Sequence, residues 1–155
     1  MVPIQHIHPM LVHFPIVLIM LLAAFDVVAT LRGQSVTGRT VAGNVSTTLA
    51  LLTGLFAVAT FVFGGMALDV AEAGGFHSDV AEIHESLGEV VAIAAALYAA
   101  VRVFLWYRNI SIRGGAAWLM PVTAIAGTAL VTATAYFGGQ LVYELGVNVA
   151  KIAMN

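Results

Sequence analysis

Four long apolar stretches dominate the sequence, at 10–31, 45–66, 83–107 and 116–137. About 20 consecutive apolar residues are enough for an α-helix to cross the hydrocarbon core of a bilayer. Only 9% of the 155 residues are charged, whereas soluble domains carry about a quarter. The sequence therefore predicts an all-α integral membrane protein, with residues 1–155 forming one up-down-up-down four-helix bundle.

The ionisable residues divide between the two ends of such a bundle. Five of the six cations fall in or beside the loop after the first stretch and the loop after the third, and Lys151 falls at the other end. Short loops rich in Arg and Lys stay in the cytoplasm. We therefore expect both termini outside, in a bacterial inner membrane, together with all five histidines and seven of the eight acids.

An internal repeat is suggested by two Phe-Gly-Gly motifs, at 63–65 and 137–139. The offset between the motifs is close to the offset between His13 and His84, and to that between His8 and His77. These similar offsets predict a duplicated helical hairpin whose halves are related by an axis along the membrane normal.

His13 and His84 are the candidate cofactor ligands. Each lies near the outer end of its stretch, on helices that are diagonal neighbours in the expected bundle, and intramembrane polar groups need partners. Two facing imidazoles suit axial ligation of haem iron. The chain has no cysteine, which excludes thiolate ligands and thioether-attached haem. We expect haem b here, with Gly88 leaving room beside His84; the alternative is that these histidines are structural hydrogen-bonding groups.

Other residues extend this hypothesis. Tyr143 and Glu144 could orient a ligating imidazole or bind haem propionates at the outer rim. His8 and His77, with His6, could form a second, shallower copper or zinc site, since both metals accept imidazole. Asp26 is predicted either to form an ion pair with Arg102 or to act as a proton site that serves a quinone.

Three segments carry a resemblance to a known family: HPMLVHFPI at 8–16, the single His84, and GGQLVYELGV at 138–147. They resemble the bacterial four-helix membrane proteins of the domain of unknown function 2231 family. The positions that match are His8, His13, His84, Gly138, Gly139, Tyr143 and Gly146. The family has no assigned activity. Members also occur joined to c-type cytochrome or Rieske-like modules, which implies a redox setting.

The sequence thus predicts a b-type cytochrome subunit that carries electrons between an outer-face redox protein and the quinone pool or a terminal acceptor. The expected partner is a separate c-type cytochrome or iron–sulfur subunit, and a homo-oligomer is compatible with the small residues on several faces. No nucleic-acid partner is expected, and the protein is expected to serve an oxidoreductase complex more than to act alone. The alternatives are a haem-free anchor subunit and an outer-face copper or zinc protein.

Overall fold

The computed structural model describes residues 3–147 and 149. A 3-10 turn at Ile4–His6 leads into α1 (Ile7–Leu11) and α2 (His13–Leu31). Two long helices follow, α3 (Val41–Ala73) and α4 (Asp79–Tyr107). A second 3-10 turn at Gly114–Trp118 precedes α5 (Leu119–Tyr143). These elements form four apolar segments long enough to cross a membrane, which confirms the all-α membrane bundle.

The first membrane segment is made of two helices because of its prolines. Pro9 lies inside α1 and Pro15 inside the first turn of α2. Proline has no N–H to donate to the preceding turn and favours the start of a helix. The hydrogen-bond ladder is consequently weakened between them, where α1 ends at Leu11 and α2 begins at His13. His8 therefore belongs to α1, a short helix of its own.

The four segments pack in a closed square. α2 contacts α3 and α5, and α4 contacts the same two helices, so that α2 and α4 lie on one diagonal and α3 and α5 on the other. The core between them is built largely from small side chains, among them Ala50, Ala57, Ala92 and Ala124. Small residues let membrane helices approach closely, and the bundle axis is therefore narrow.

The two ends of the bundle differ in chemistry. The end formed by α1, the loop at 74–78 and the end of α5 is called here the histidine end. The opposite end, formed by the loops at 32–40 and 108–118, is called the arginine end. At the arginine end the two loops are joined: Ser35 donates to the Ile112 carbonyl at 3.0 Å, and the Ile112 N–H donates to Thr37 at 2.8 Å.

Helix caps set the starts of the two long helices. The Thr40 side chain accepts from the Gly43 N–H at 2.9 Å, and the Ser78 side chain accepts from the Val80 N–H at 3.2 Å. These N-caps satisfy backbone donors that the helix itself leaves unpaired. The Ser78 cap begins α4 shortly before His84, which fixes His84 in the second turn at the histidine end.

Candidate functional site: a histidine pair on the bundle axis

His8 and His84 meet across the bundle diagonal at the histidine end. Their ring centroids are 6.2 Å apart and the ring planes are nearly perpendicular, at 85°. Both side chains are partly buried. The two imidazoles come from α1 and α4, and α2, which continues from α1, lies diagonally opposite α4. The structure thus brings together two histidines on the axis, as expected, but the partner of His84 is His8.

Each imidazole is oriented by a backbone carbonyl of the neighbouring long helix. His8 Nδ1 lies 2.9 Å from the Thr60 oxygen, and His84 Nδ1 lies 3.0 Å from the Thr134 oxygen. A carbonyl can only accept, so Nδ1 carries the proton in both rings. The Nε2 atom of each neutral imidazole is then left with a free lone pair.

Two glycines allow this close approach. A Cβ built on Gly64 would lie 2.9 Å from His8 Nδ1, and a Cβ on Gly138 would lie 2.9 Å from His84 Cε1. Real side chains essentially never pack that closely. Gly64 and Gly138 stand one helical turn after Thr60 and Thr134, so each glycine opens the surface through which an imidazole reaches the carbonyl.

These contacts reveal an internal repeat with a different register from the one expected. Both α3 and α5 contain the pattern Thr-x-x-Phe-Gly-Gly, at 60–65 and 134–139. The histidines that use these motifs, His8 and His84, are separated along the chain by nearly the same offset. The equivalent pairs are therefore His8 with His84, Thr60 with Thr134 and Gly64 with Gly138, related by a pseudo-twofold axis along the bundle.

The expectation that His13 faces His84 is wrong, and helical phase explains why. His13 is exposed on the outside of α2, whereas Asp26 is buried on the inside of the same helix. An α-helix turns by about 100° per residue. The side chains of His13 and Asp26 are therefore about 220° apart around the helix axis, which places them on opposite faces of the helix. Between His8 and Asp26 the chain makes about five full helical turns, so His8 lies on the same inward face as Asp26.

The remaining predicted residues lie away from the pair. His6 and His77 are exposed, and no group of three or more metal-ligating side chains is found among residues 3–147 and 149. Tyr143 is 90% exposed and Glu144 is exposed, so the groups that orient the imidazoles are the Thr60 and Thr134 carbonyls instead. A Cβ at Gly88 would meet only Phe61, at 3.8 Å.

At the arginine end the same diagonal carries an ion pair. Arg102 Nη1 lies 2.7 Å from Asp26 Oδ2, and both side chains are fully buried. Arg102 also donates to Tyr98 at 2.7 Å, to the Val36 carbonyl at 2.6 Å and to Ser46, which in turn donates to Asp26. Asp26 and Arg102 have the same separation along the chain as His8 and His84. The pseudo-twofold axis therefore passes through both pairs.

A cavity of about 240 Å³ lies between these two pairs. All four membrane segments line it, mainly with apolar side chains, and Tyr98 lies on its side nearest the arginine end. Ala94 of α4 and Ala126 of α5 line the cavity and are themselves exposed on the outside of the bundle. The cavity thus opens toward the lipid between α4 and α5.

Comparison with known proteins gives one match, to a family described as predicted membrane proteins, DUF2231, over residues 5–151. The chain belongs to the DUF2231 family. Neither the curated proteins nor the solved structures contain a match. The family assignment agrees with the resemblance of the terminal motifs, and membership places this chain among predicted membrane proteins.

Proposed function

We propose that this DUF2231 protein is a membrane-embedded b-type cytochrome whose haem iron is ligated by His8 and His84. The observation that carries the proposal is the pair of imidazoles on the bundle axis, each held by an Nδ1–H bond to a backbone carbonyl. Metal-ligating histidines commonly donate their other ring N–H to a carbonyl or carboxylate, which fixes the tautomer and orients the free nitrogen.

The separation of the rings is compatible with two ligands on opposite sides of one metal. With metal–nitrogen bonds of about 2.0 Å and ring centres about 1 Å behind the nitrogens, a linear arrangement sets the centroids about 6 Å apart, and a tetrahedral one about 5 Å. The observed distance is 6.2 Å. His8 and His84 would hold the haem iron from its two sides, and the macrocycle would supply the four other ligands.

The ligand count also favours haem over a zinc site. Zinc takes four ligands, at least three of them from protein, and the described residues bring together no third ligating side chain. The bound group would supply one-electron transfer, and the protein would set its depth and surroundings.

The charge of the histidine end suggests the partner. Seven exposed acids surround it: Asp69, Glu72, Asp79, Glu82, Glu85, Glu89 and Glu144. A negative rim attracts a protein with a basic face and raises the association rate at low salt. The proposed partner is an extracytoplasmic c-type cytochrome or iron–sulfur protein with such a face, and the arginine end then lies in the cytoplasm. Lys151 lies outside the described residues.

On the membrane side, the proposed partner is a quinone. The cavity between the two pairs is mainly apolar and opens between α4 and α5, which is the route that a lipid-soluble ligand needs. Val91, which lines the cavity, follows His84 by two helical turns on α4, or about 10 Å along the helix. An electron at the histidine pair would therefore be close to a ring bound in the cavity.

The proposal is tested with protein produced in haem-replete cells, purified in detergent, and measured by a dithionite-reduced minus oxidised spectrum and a pyridine haemochrome assay. We expect about one haem b per chain. His8→Ala and His84→Ala should each lose the low-spin spectrum, and added imidazole should restore part of it by filling the space left by the ring.

His13→Ala and His77→Ala are the matched controls, because both histidines are exposed, and they should retain the spectrum. Wild-type protein that is folded but binds no haem would overturn the proposal. Metal analysis of that same sample would then separate a bound copper ion from a purely structural histidine pair.

Sidedness is tested with single cysteines, since the chain has none of its own. His77→Cys and Arg108→Cys lie at exposed positions of the two opposite ends. A membrane-impermeant maleimide applied to spheroplasts should label the first and not the second. The reverse pattern would refute the orientation while leaving the haem assignment standing.

A further inference from the structure

A second pocket, of about 450 Å³, opens at the arginine end of the bundle. The end of α2, the loop after it and the first turns of α3 form its walls, and Arg113 from the loop before α5 closes it. It lies at the opposite end of the bundle from the histidine pair. None of the residues assigned to the proposed cytochrome function lines it.

Both polar and apolar side chains line the pocket. The polar ones include Gln34, Ser35 and Arg113, and the apolar ones include Phe25, Val41 and Val45. Val41 is 83% exposed. Val41 and Val45 are one helical turn apart on α3, so they share one helix face that runs from the arginine end along the bundle. The pocket therefore offers contacts to a polar headgroup and to an acyl chain.

The charge around the pocket is positive. Arg32, Arg39, Arg108 and Arg113 are all exposed at this end. The one acid that the structure describes there, Asp26, is fully buried and bonded to Arg102. Among residues 3–147 and 149, no acidic side chain lies within ion-pair distance of Arg113. The pocket also adjoins the first turn of α3 at Val41 and Ala42, where the helix dipole adds partial positive charge.

We infer that this pocket binds the headgroup of an anionic phospholipid, with one acyl chain lying along the Val41 and Val45 face of α3. A zwitterionic headgroup would also bring an ammonium group, for which the described part of the chain offers no free acid at this end. Basic pockets between membrane helices at the cytoplasmic side are known to bind anionic headgroups. The charge of the pocket therefore selects phosphatidylglycerol or cardiolipin over phosphatidylcholine.

The test is lipid retention in nanodiscs. The full chain is placed in nanodiscs of equimolar phosphatidylglycerol and phosphatidylcholine, released into mild detergent and examined by native mass spectrometry. We expect phosphatidylglycerol to be retained about fivefold over phosphatidylcholine, the ratio that corresponds to about 1 kcal/mol for one interfacial arginine. Arg113→Gln should reduce this ratio to about one.

Arg108→Gln is the matched control, because Arg108 is an exposed arginine of the same end that does not line the pocket. It should keep the wild-type ratio. Equal retention of both lipids by the wild type, or the same loss in both variants, would overturn the inference, since the second result assigns the preference to the net charge of the whole end. Far-UV circular dichroism confirms that each variant is folded.

Discussion

Replacing Arg102 with methionine tests whether the ion pair on the bundle axis stabilises the fold. Methionine keeps much of the apolar length of arginine and removes its charge and its donors. Four hydrogen bonds are lost, to Asp26, Tyr98, Val36 and Ser46. The bonds to Asp26 and Ser46 join two helices, whereas Tyr98 lies on α4 itself and Val36 lies in a loop. At ~0.6 kcal/mol each, the average for interhelical bonds in a membrane protein, the four amount to about 2.4 kcal/mol.

The carboxylate of Asp26 adds a second cost, because it stays buried without its cation. Breaking a buried pair by removing one partner typically costs about 3–5 kcal/mol. We therefore expect Arg102→Met to lower the free energy of unfolding by about 3–5 kcal/mol in total, of which about 2.4 kcal/mol comes from the four hydrogen bonds and the rest from the isolated charge.

The double variant Asp26→Asn with Arg102→Met separates the two contributions. It loses the same four hydrogen bonds but leaves no buried charge, so it should recover about 1–2 kcal/mol relative to Arg102→Met alone. The assay is unfolding in mixed micelles of increasing sodium dodecyl sulfate fraction, followed by far-UV circular dichroism. Wild-type stability in Arg102→Met would refute the reasoning, and a double variant no more stable than the single would refute the charge contribution.

The charge-swapped variant, Asp26→Arg with Arg102→Asp, tests the pseudo-twofold axis. Both positions face the axis equivalently, so the pair should re-form. The position equivalent to Tyr98 is Leu22, and the position equivalent to Ser46 is Met120. An arginine at position 26 would therefore lack these two acceptors, and the swapped protein should be more stable than Arg102→Met and less stable than the wild type.

Three further predictions concern packing and the cavity. Gly138→Ala should displace the His84 ring and weaken binding of the proposed haem, because its Cβ would lie 2.9 Å from Cε1, whereas Gly139→Ala meets no protein atom within 4 Å and should leave the visible spectrum unchanged. Gly54→Leu should separate α3 from α4, since a Cβ there would already lie 2.9 Å from a side chain of α4; a cost of about 1–3 kcal/mol is expected for overpacking, measured by the same detergent unfolding assay. If the proposed function holds, Ala126→Phe should partly fill the cavity between the two pairs and slow reduction of the haem by a quinol in stopped flow, with the spectrum intact. The exposed neighbour Ile125→Phe should leave the rate unchanged.

Much of the architecture could be predicted from the sequence because the bilayer imposes it. A span of about 20 apolar residues has few alternatives to a helix, since every backbone polar group must be satisfied within the segment. The exact bounds differ: α3 covers Val41–Ala73, well beyond the apolar stretch at 45–66. Asp69 and Glu72 in its last turns are compatible with a helix that continues past the hydrocarbon core.

Parts of the candidate site were also present in the sequence. The two Phe-Gly-Gly motifs contain Gly64 and Gly138, the glycines against which the imidazoles pack. The repeated Thr-x-x-Phe-Gly-Gly pattern is visible in the printed sequence, and so is the identical spacing of His8 to Asp26 and of His84 to Arg102. This spacing corresponds to about five helical turns, and it agrees with the pairing of His8 with His84 that the structure shows.

The sequence by itself determined how many times the chain crosses the membrane and which chemistry collects at each end, because hydropathy and charge act along the chain. Only the tertiary structure decided which histidine faces His84, since that choice depends on the phase of α1 and α2 about the bundle axis. It also decided that Arg102 spans the diagonal to Asp26 and that the imidazoles bond to backbone carbonyls. Every helix has backbone carbonyls. The histidine side chains reach those of Thr60 and Thr134 because residues 64 and 138 are glycines and each packs against its histidine.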